Sequence, residues 1–239
     1  MDVRTAERGD GDAIRTVAEQ SLSASYTLSP TVIEQAVENW YGEDALDEKF
    51  ADPDSRLLVA EADGDVVAFS ESLIVDAQGD ILWLHVAPSH RGRGIGKALY
   101  EQTRETLDEA GAEVVRGLVL ADNAEGNEFY EEQGLVKAGE DSVEIGGNTH
   151  VENVYIEDGP APLEPITADG RELYVDHTDA DRGSDGPFLT VYADRDRERR
   201  YGAFCAVCDS LVTTMDTMGR MQCDCGNVRR PTRWDAAYM

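Results

Sequence analysis

Apolar and polar positions switch between a two-residue and a 3.6-residue period along the first 157 residues, which predicts alternating strands and helices. A short strand over 3–5 precedes a helix over about 10–23. A second helix is expected over about 30–41, where Pro30 suits the first turn. The runs 56–62 and 66–75, joined at Asp63-Gly64-Asp65, carry a hairpin signal. After Gln78-Gly79-Asp80 the apolar run 81–86 reads as a central strand. The clearest helix covers 94–110. Ile95, Ala98, Leu99, Gln102, Thr106, Leu107 and Ala110 fall on one face, with Glu101, Arg104, Glu105, Asp108 and Glu109 on the other, and Gly111 stops it. A strand over 114–120, a helix over 124–133 ended by Gly134, and strands over 135–140 and 149–157 complete the segment. Gly146-Gly147-Asn148 connects the last two.

The pattern then breaks at Gly159-Pro160-Ala161-Pro162-Leu163-Glu164-Pro165, which reads as a stiff linker. Three regions are therefore expected: a domain over 1–157, a linker over 158–170 and a small β domain over 171–239. In the last, strands over 172–175 and 188–192 flank a polar loop over 179–186, and no internal repeat is present.

Composition narrows the class. With 239 residues, 41% of them hydrophobic, the chain can hold one large domain or a medium one with a small appendage. No apolar run reaches the roughly 18 residues of a membrane span, so no membrane role is expected. The opening MDVRTAERGD is too charged for a secretory signal, which points to the cytoplasm. Acidic residues number 49 against 21 basic ones, a net charge of −28, and only Lys49, Lys97 and Lys137 are lysines. The acids are scattered through well-patterned segments. That argues against a disordered tail and suits molar salt, where a Debye length of about 3 Å screens self-repulsion.

Against that charge, the run Arg91-Gly92-Arg93-Gly94-Ile95-Gly96-Lys97 stands out, because it follows a strand and opens an amphipathic helix. Glycines let backbone approach a ligand, and a helix N-terminus offers N–H groups and partial positive charge to an anion. A pyrophosphate fits; a Gly-rich turn with solvent-facing basic residues is the plainer alternative. The Gly-Lys-Ser/Thr ending of a Walker loop is missing, as is the acidic residue of a dinucleotide fold. The segment resembles the GNAT acetyltransferase superfamily through Arg91, Gly94 and Gly96, through the preceding Leu82–Pro88 stretch, and through Asn123…Phe129-Tyr130…Gly134-Leu135. Leu135 replaces the usual Phe.

The resemblance implies an α+β fold of α/β/α layering around a mixed, mostly antiparallel sheet. It implies an N-acetyltransferase that moves an acetyl group from acetyl-CoA to a primary amine in a ternary complex. Residues Arg91, Gly92, Arg93, Gly94, Ile95, Gly96 and Lys97 would bind pyrophosphate, the backbone of Leu84 and Val86 would pair with pantetheine, and Asn123 would bond it or simply cap a helix. Tyr130 would protonate the departing thiolate, a phenol near pKa 10 serving a thiol near 8.5, or would pack behind the sheet. The strand before the turn lacks the carboxylate that family members often use as base. His85 and Glu71 are the candidates, each with a structural alternative; Tyr26, Trp40 and Tyr41 are candidates for the acceptor pocket.

All four cysteines lie in Cys205-Ala206-Val207-Cys208 and Cys223-Asp224-Cys225. Four thiolates suit a structural Zn²⁺, the second knuckle being tighter than a CxxC pair. Reduced, packed cysteines are the alternative. The surroundings resemble a small zinc-ribbon-like domain of haloarchaeal proteins. Residues 195–239 carry eight arginines and six acids, so a nucleic-acid or protein contact through Arg195, Arg197, Arg199, Arg200, Arg229, Arg230 and Arg233 competes with their pairing to Asp194, Asp196 and Glu198. Dimerisation is open. A non-catalytic acetyl-CoA-binding regulatory module, using the ribbon to reach a partner, is the rival to the enzyme.

Overall fold

The computed structural model describes residues 1–26, 29–145, 148–157, 163–168, 170–214 and 221–229. The chain forms two compact units, one from Met1–Ile74 and Gly79–Asp158, the other from Val75–Gln78 and Gly159–Thr232.

In the first unit, β1 (Asp2–Thr5) leads through a single turn into α1 (Gly11–Ser25) and α2 (Pro30–Tyr41). Ser29 caps α2 by accepting from the Val32 N–H, and Pro30 occupies its first turn, as the sequence predicts. A third helix, α3 (Glu43–Ala51), was not expected. It buries only Leu46, so its apolar period is too weak to read. Strands β2 (Ser55–Ala62), β3 (Asp65–Val75) and β4 (Gln78–Val86) follow, then α4 (Ile95–Glu109), β5 (Val114–Leu120), α5 (Ala124–Glu132), β6 (Val136–Ile145) and β7 (Asn148–Ile156). The sheet order is β1-β2-β3-β4-β5-β7-β6. The β1–β2, β2–β3, β5–β7 and β6–β7 pairs are antiparallel. The expected α+β class with a mostly antiparallel sheet is present. Gly146 and Gly147 of the expected turn lie outside the described residues.

Helix α4 contributes to two buried clusters. Ile95 and Leu99 of α4 pack on Leu58, Ala60 and Ala68. Tyr100 and Leu107 join Tyr130, Tyr155, Val115, Val119 and Leu135. The buried face of α4 thus includes Tyr100 and Thr103, whereas Ala110, expected on it, is exposed. Within this unit Asp80 and Arg116 form a buried ion pair with N–O distances of 2.6 and 2.9 Å.

The second unit is an antiparallel meander of β8 (Glu164–Ala168), β9 (Arg171–Asp181), β10 (Phe188–Tyr192), β11 (Arg200–Cys205) and β12 (Ser210–Val212), in the order β12-β11-β10-β9-β8. Two expectations fail here. Residues 164–168, read as linker, form a strand whose Glu164–Ala168 pairs with Arg171–Val175; linker residues 158–162 and 169 lie outside the described residues. The polar segment 179–181, read as loop, continues β9. A register shift between Leu189 and Thr190 lets Ala180 and Asp181 pair with β10. Their polar neighbours find partners: Asp181 holds Arg200 and Arg229, and Asp179 accepts from the Tyr192 hydroxyl. Among the described residues no helix is long and apolar enough to cross a membrane.

Candidate functional site

The end of β4 delivers the chain to a single Pro88–His90 turn and then to Gly92 and Gly94, whose φ angles of 71° and 79° lie in the left-handed region. Gly94 is the N-cap of α4 and supplies no side-chain cap. The first N–H groups of the helix therefore have no intrahelical acceptor and point into the turn. Here a cavity of about 470 Å³ opens between the ends of β4 and β5, α1, and the starts of α4 and α5.

Most of the expected ligand-binding positions line it: Leu84, Val86, Arg91, Gly92, Gly94, Ile95, Gly96, Lys97 and Asn123. Arg93 is exposed and is not among the lining residues. Arg91 is not a loose cation. Its guanidinium donates to the Val86 carbonyl (3.3 Å), to Ser21 and Ser25 hydroxyls (3.2 and 3.0 Å), and pairs with Glu125 (2.9 Å), tying β4 to α1 and α5. Lys97 stays largely solvent-exposed, 3.9 Å from Glu101. Asn123 caps α5, accepting from the Gly126 N–H at 3.0 Å, while its amide donates to the Tyr26 hydroxyl at 3.0 Å.

Tyr130 is buried and lines the cavity. Its ring stacks on Tyr155 (centroids 5.6 Å) and meets Tyr100 and Phe129 edge-on. Burial and then Glu131 raise the Tyr155 phenol above its ordinary range. Burial and Glu157 do the same at Tyr100. A shell that the sequence did not announce supports this corner. Asn127 donates to the Leu120 and Asn123 carbonyls and accepts from Asn153 and the Tyr155 hydroxyl.

The two expected bases part company. His85 lines the cavity, stacked on Trp83 (5.2 Å, 17°) and 5.0 Å from Phe69, with Nδ1 3.1 Å from the Ser21 hydroxyl. Glu71 is buried elsewhere. It accepts from the Tyr41 hydroxyl (3.0 Å) and pairs with Lys49 of the unforeseen α3, and it is not among the lining residues. Reading Glu71 as a cleft carboxylate is corrected by that pairing: a buried carboxylate settles on a cation brought by a neighbouring helix. Sequence reasoning also passed over Glu152 of β7, a buried carboxylate that does line the cavity. Its signal was there, a glutamate in register with Val154 and Ile156 on the apolar face of a strand.

A second cavity of about 280 Å³ adjoins the first within this unit, the two sharing Ser25, Tyr26, Trp83 and Leu120. Trp40 and Trp83, with ring centroids 4.9 Å apart, form its wall.

Residues 20–135 match the model of the Acetyltransferase (GNAT) family. PaiA N-acetyltransferase from Thermoplasma acidophilum, solved in complex with coenzyme A, is 23% identical, with 63% of this chain and 96% of that one covered and a TM-score of 0.55. A GCN5-related N-acetyltransferase from Rhodopseudomonas palustris is 19% identical over 66% and 94%, with a TM-score of 0.54. The ribosomal-protein-S18-alanine N-acetyltransferase from Escherichia coli gives 16% over 65% and 91%, with a TM-score of 0.50. The first unit has the GNAT fold. No curated protein matches the chain. The GNAT unit's glycine turn lies at the N-terminus of α4, and Phe129 and Tyr130 line the same cavity.

Residues 169–239 match a Family of unknown function (DUF5816). In this unit the sulfurs of Cys205, Cys208, Cys223 and Cys225 all lie within 4.8 Å of one another. Pairs stand at 3.4 Å (Cys208–Cys223) and 3.8 Å (Cys205–Cys225). A tetrahedral Zn²⁺ with Zn–S bonds of about 2.3 Å needs sulfurs about 3.8 Å apart, so the donor set fits such an ion. Asn227 is fully buried. Its amide donates to the Cys205 sulfur (3.4 Å) and the Gly186 carbonyl, and its carbonyl oxygen accepts from the Asp185 N–H. Hydrogen bonding with Ser210 and then with the other thiols pushes the Cys208 thiol down to about 7. At Cys223 the Cys225 backbone N–H favours the thiolate, but burial and the Cys208 thiol outweigh it and push the group up to about 12.

The described arginines of residues 195–229 pair with acids: Arg195 with Glu172, Arg197 with Asp176, Arg199 with Asp194, and Arg200 and Arg229 with Asp181. Of the three acids expected as partners, Asp194 takes part, and β9 brings the other partners, Glu172, Asp176 and Asp181. Arg230 and Arg233 lie outside the described residues.

Proposed function

We propose that the GNAT unit transfers an acetyl group from acetyl-CoA to a primary amine by direct attack in a ternary complex. The observation that carries the reading is one continuous cavity, reaching from the glycine turn at the start of α4 to the Tyr130 phenol. Backbone N–H groups of Gly92 to Lys97 hold the pyrophosphate, with Lys97 adding charge, and the backbone of Leu84 and Val86 pairs with pantetheine. Arg91 shapes this turn rather than reaching for phosphate, since its donors already serve α1, β4 and Glu125. Asn123 bonds pantetheine through the second N–H of its amide, the first being held by the Tyr26 hydroxyl. Tyr130 gives its proton to the leaving thiolate, and the stack on Tyr155 sets the ring's direction. The Escherichia coli relative is named for ribosomal-protein-S18 alanine, and that acceptor does not come to this chain with the fold.

A coenzyme A release assay over an amine panel, with Tyr130→Phe alongside, tests the reading. We expect amine-dependent release that falls by about 10²-fold or more in the variant while acetyl-CoA affinity holds. Tight acetyl-CoA binding with no release from any amine would overturn it in favour of a regulatory module.

For the second unit we propose that Cys205, Cys208, Cys223 and Cys225 hold one structural Zn²⁺, supported by the spacing of the four sulfurs and the Asn227 contact. Elemental analysis of the purified chain reads this directly. One zinc per chain is expected, and none after metal-replete expression would sink it.

A further inference from the structure

We propose that the second cavity is the acceptor subsite, that it takes a primary amine with an apolar, aromatic-sized body, and that Glu152 removes the ammonium proton. The inference rests on the acetyl-transfer reading above.

Strand register places Glu152. In the β5–β7 pair Gly117 stands opposite Tyr155 and Leu120 opposite Glu152. Gly117 and Tyr155 both meet the Tyr130 ring, so that side of the sheet faces α5. Side chains alternate along a strand, which sends Leu120, His150 and Glu152 to the opposite side. Leu120 and His150 line the second cavity with Trp40 and Trp83, which fits that assignment. Glu152 lines the first cavity from this side. Its register partner Leu120 lines both cavities, so Glu152 stands beside the boundary the two spaces share, while Tyr130 serves the thioester from the other face.

The carboxylates that line either cavity are Asp122, Glu125, Glu132 and Glu152 among the described residues, and of these Glu152 alone is buried, at 4% exposure. His85 also lines the first cavity, its ring 5.2 Å from Trp83 and 5.0 Å from Phe69, with Nδ1 at Ser21. The acceptor cavity's walls are apolar: Leu22, Ile33, Ala36, Trp40 and Trp83. Its described polar side includes the exposed Asp122 and the half-buried His150. Such a space suits one ring against the indoles, where aromatic pairing adds to the gain from burial. A polyamine would leave further ammonium groups against hydrocarbon.

The step balances. The amine enters as an ammonium ion and gives one proton to the Glu152 carboxylate. Its nitrogen lone pair attacks the acetyl carbon, the C–N bond forms and the C–S bond breaks, and sulfur takes the Tyr130 phenolic proton. The second proton lost from nitrogen restores the phenol, and the proton on Glu152 leaves to solvent.

The test is coenzyme A release by the full chain with 2-phenylethylamine, tryptamine, spermidine and lysine, using Glu152→Gln, Glu152→Asp and Trp40→Leu. Expected is a kcat/KM for 2-phenylethylamine at least about ten-fold above spermidine, and a KM raised about ten-fold in Trp40→Leu. Glu152→Gln should lower kcat by about 10²-fold with unchanged acetyl-CoA affinity, and Glu152→Asp should recover part of it. Quenching of indole fluorescence by 2-phenylethylamine reads binding without turnover, and should weaken in Trp40→Leu. Turnover in Glu152→Gln equal to wild type, or a preference for spermidine untouched by Trp40→Leu, overturns this inference alone. Acetyl-CoA binding with no release from any amine overturns the acetyl-transfer reading and this one together.

Discussion

Gly117 lies directly under the ring of Tyr130: a Cβ built at Gly117 would stand 2.4 Å from the ring's Cε1 and 2.6 Å from Cζ. Ring carbon and methyl cannot share that space, so the direction of the phenol depends on an absent side chain one strand away. Gly117→Ala should displace Tyr130 from the cavity wall. We expect a loss of about 1–3 kcal/mol from overpacking, seen in urea unfolding, and a fall in kcat that approaches that of Tyr130→Phe. Wild-type turnover in Gly117→Ala would show that the ring's placement is unimportant.

The buried pair of Asp80 and Arg116 makes a second prediction. The side chains are 2% and 10% exposed. Removing one partner leaves an uncompensated charge, so Arg116→Met alone should destabilise by about 3–5 kcal/mol. The double variant Asp80→Leu with Arg116→Met should recover much of that loss. A double-mutant cycle from denaturant melts gives the coupling.

Arg91 and Glu125 should behave unequally. Glu125 is mostly exposed, so Glu125→Gln should change stability by no more than about 1 kcal/mol. Arg91→Lys removes the fork that reaches Val86, Ser21 and Ser25 together, and an ammonium cannot span them. It should weaken acetyl-CoA binding by loosening the turn, measurable by calorimetry.

At the N-terminus, Arg4 donates two hydrogen bonds to Asp10 at 2.8 and 2.9 Å. These hydrogen bonds first, against an opposing effect of burial, hold the Asp10 carboxyl below its ordinary 3.8. A depressed folded value stabilises the fold above the unfolded value and is lost as pH falls through the folded one. Stability from this pair should thus be complete above about pH 5 and decline below about pH 4. Asp10→Asn should flatten that acid limb in pH-dependent thermal melts.

In the second unit, Asn227→Leu keeps all four cysteines but removes the amide at Cys205 and the link to Gly186. A metal site supported this way should lose roughly 10–100-fold in affinity, read by competition with a zinc indicator. Cys208→Ser should abolish stoichiometric binding altogether.

The glycine turn, the amphipathic α4, the α5 cap and the cysteine knuckles were legible because each is local. Spacing along a few residues sets a left-handed φ, an apolar stripe or a pair of thiols. Expectation failed where the partner came from far along the chain. Glu71 stood as a candidate base with a structural alternative, and α3, nearly silent in its apolar pattern, brought Lys49 to it. Residues 164–168 read as linker because prolines dominate locally, yet Leu173 and Val175 of the next strand accept them as an edge.

By itself, then, the sequence determined most helices and strands of the first unit, the glycine turn and the grouping of four cysteines, all written in short-range spacing. Tertiary structure decided which polar groups face a cavity. The β5–β7 register put Glu152 on the wall of the first cavity and Tyr155 under Tyr130, and β9 matched its acids to arginines. Strand pairing is a non-local choice, and a shift of one residue would turn each of these side chains to the other face.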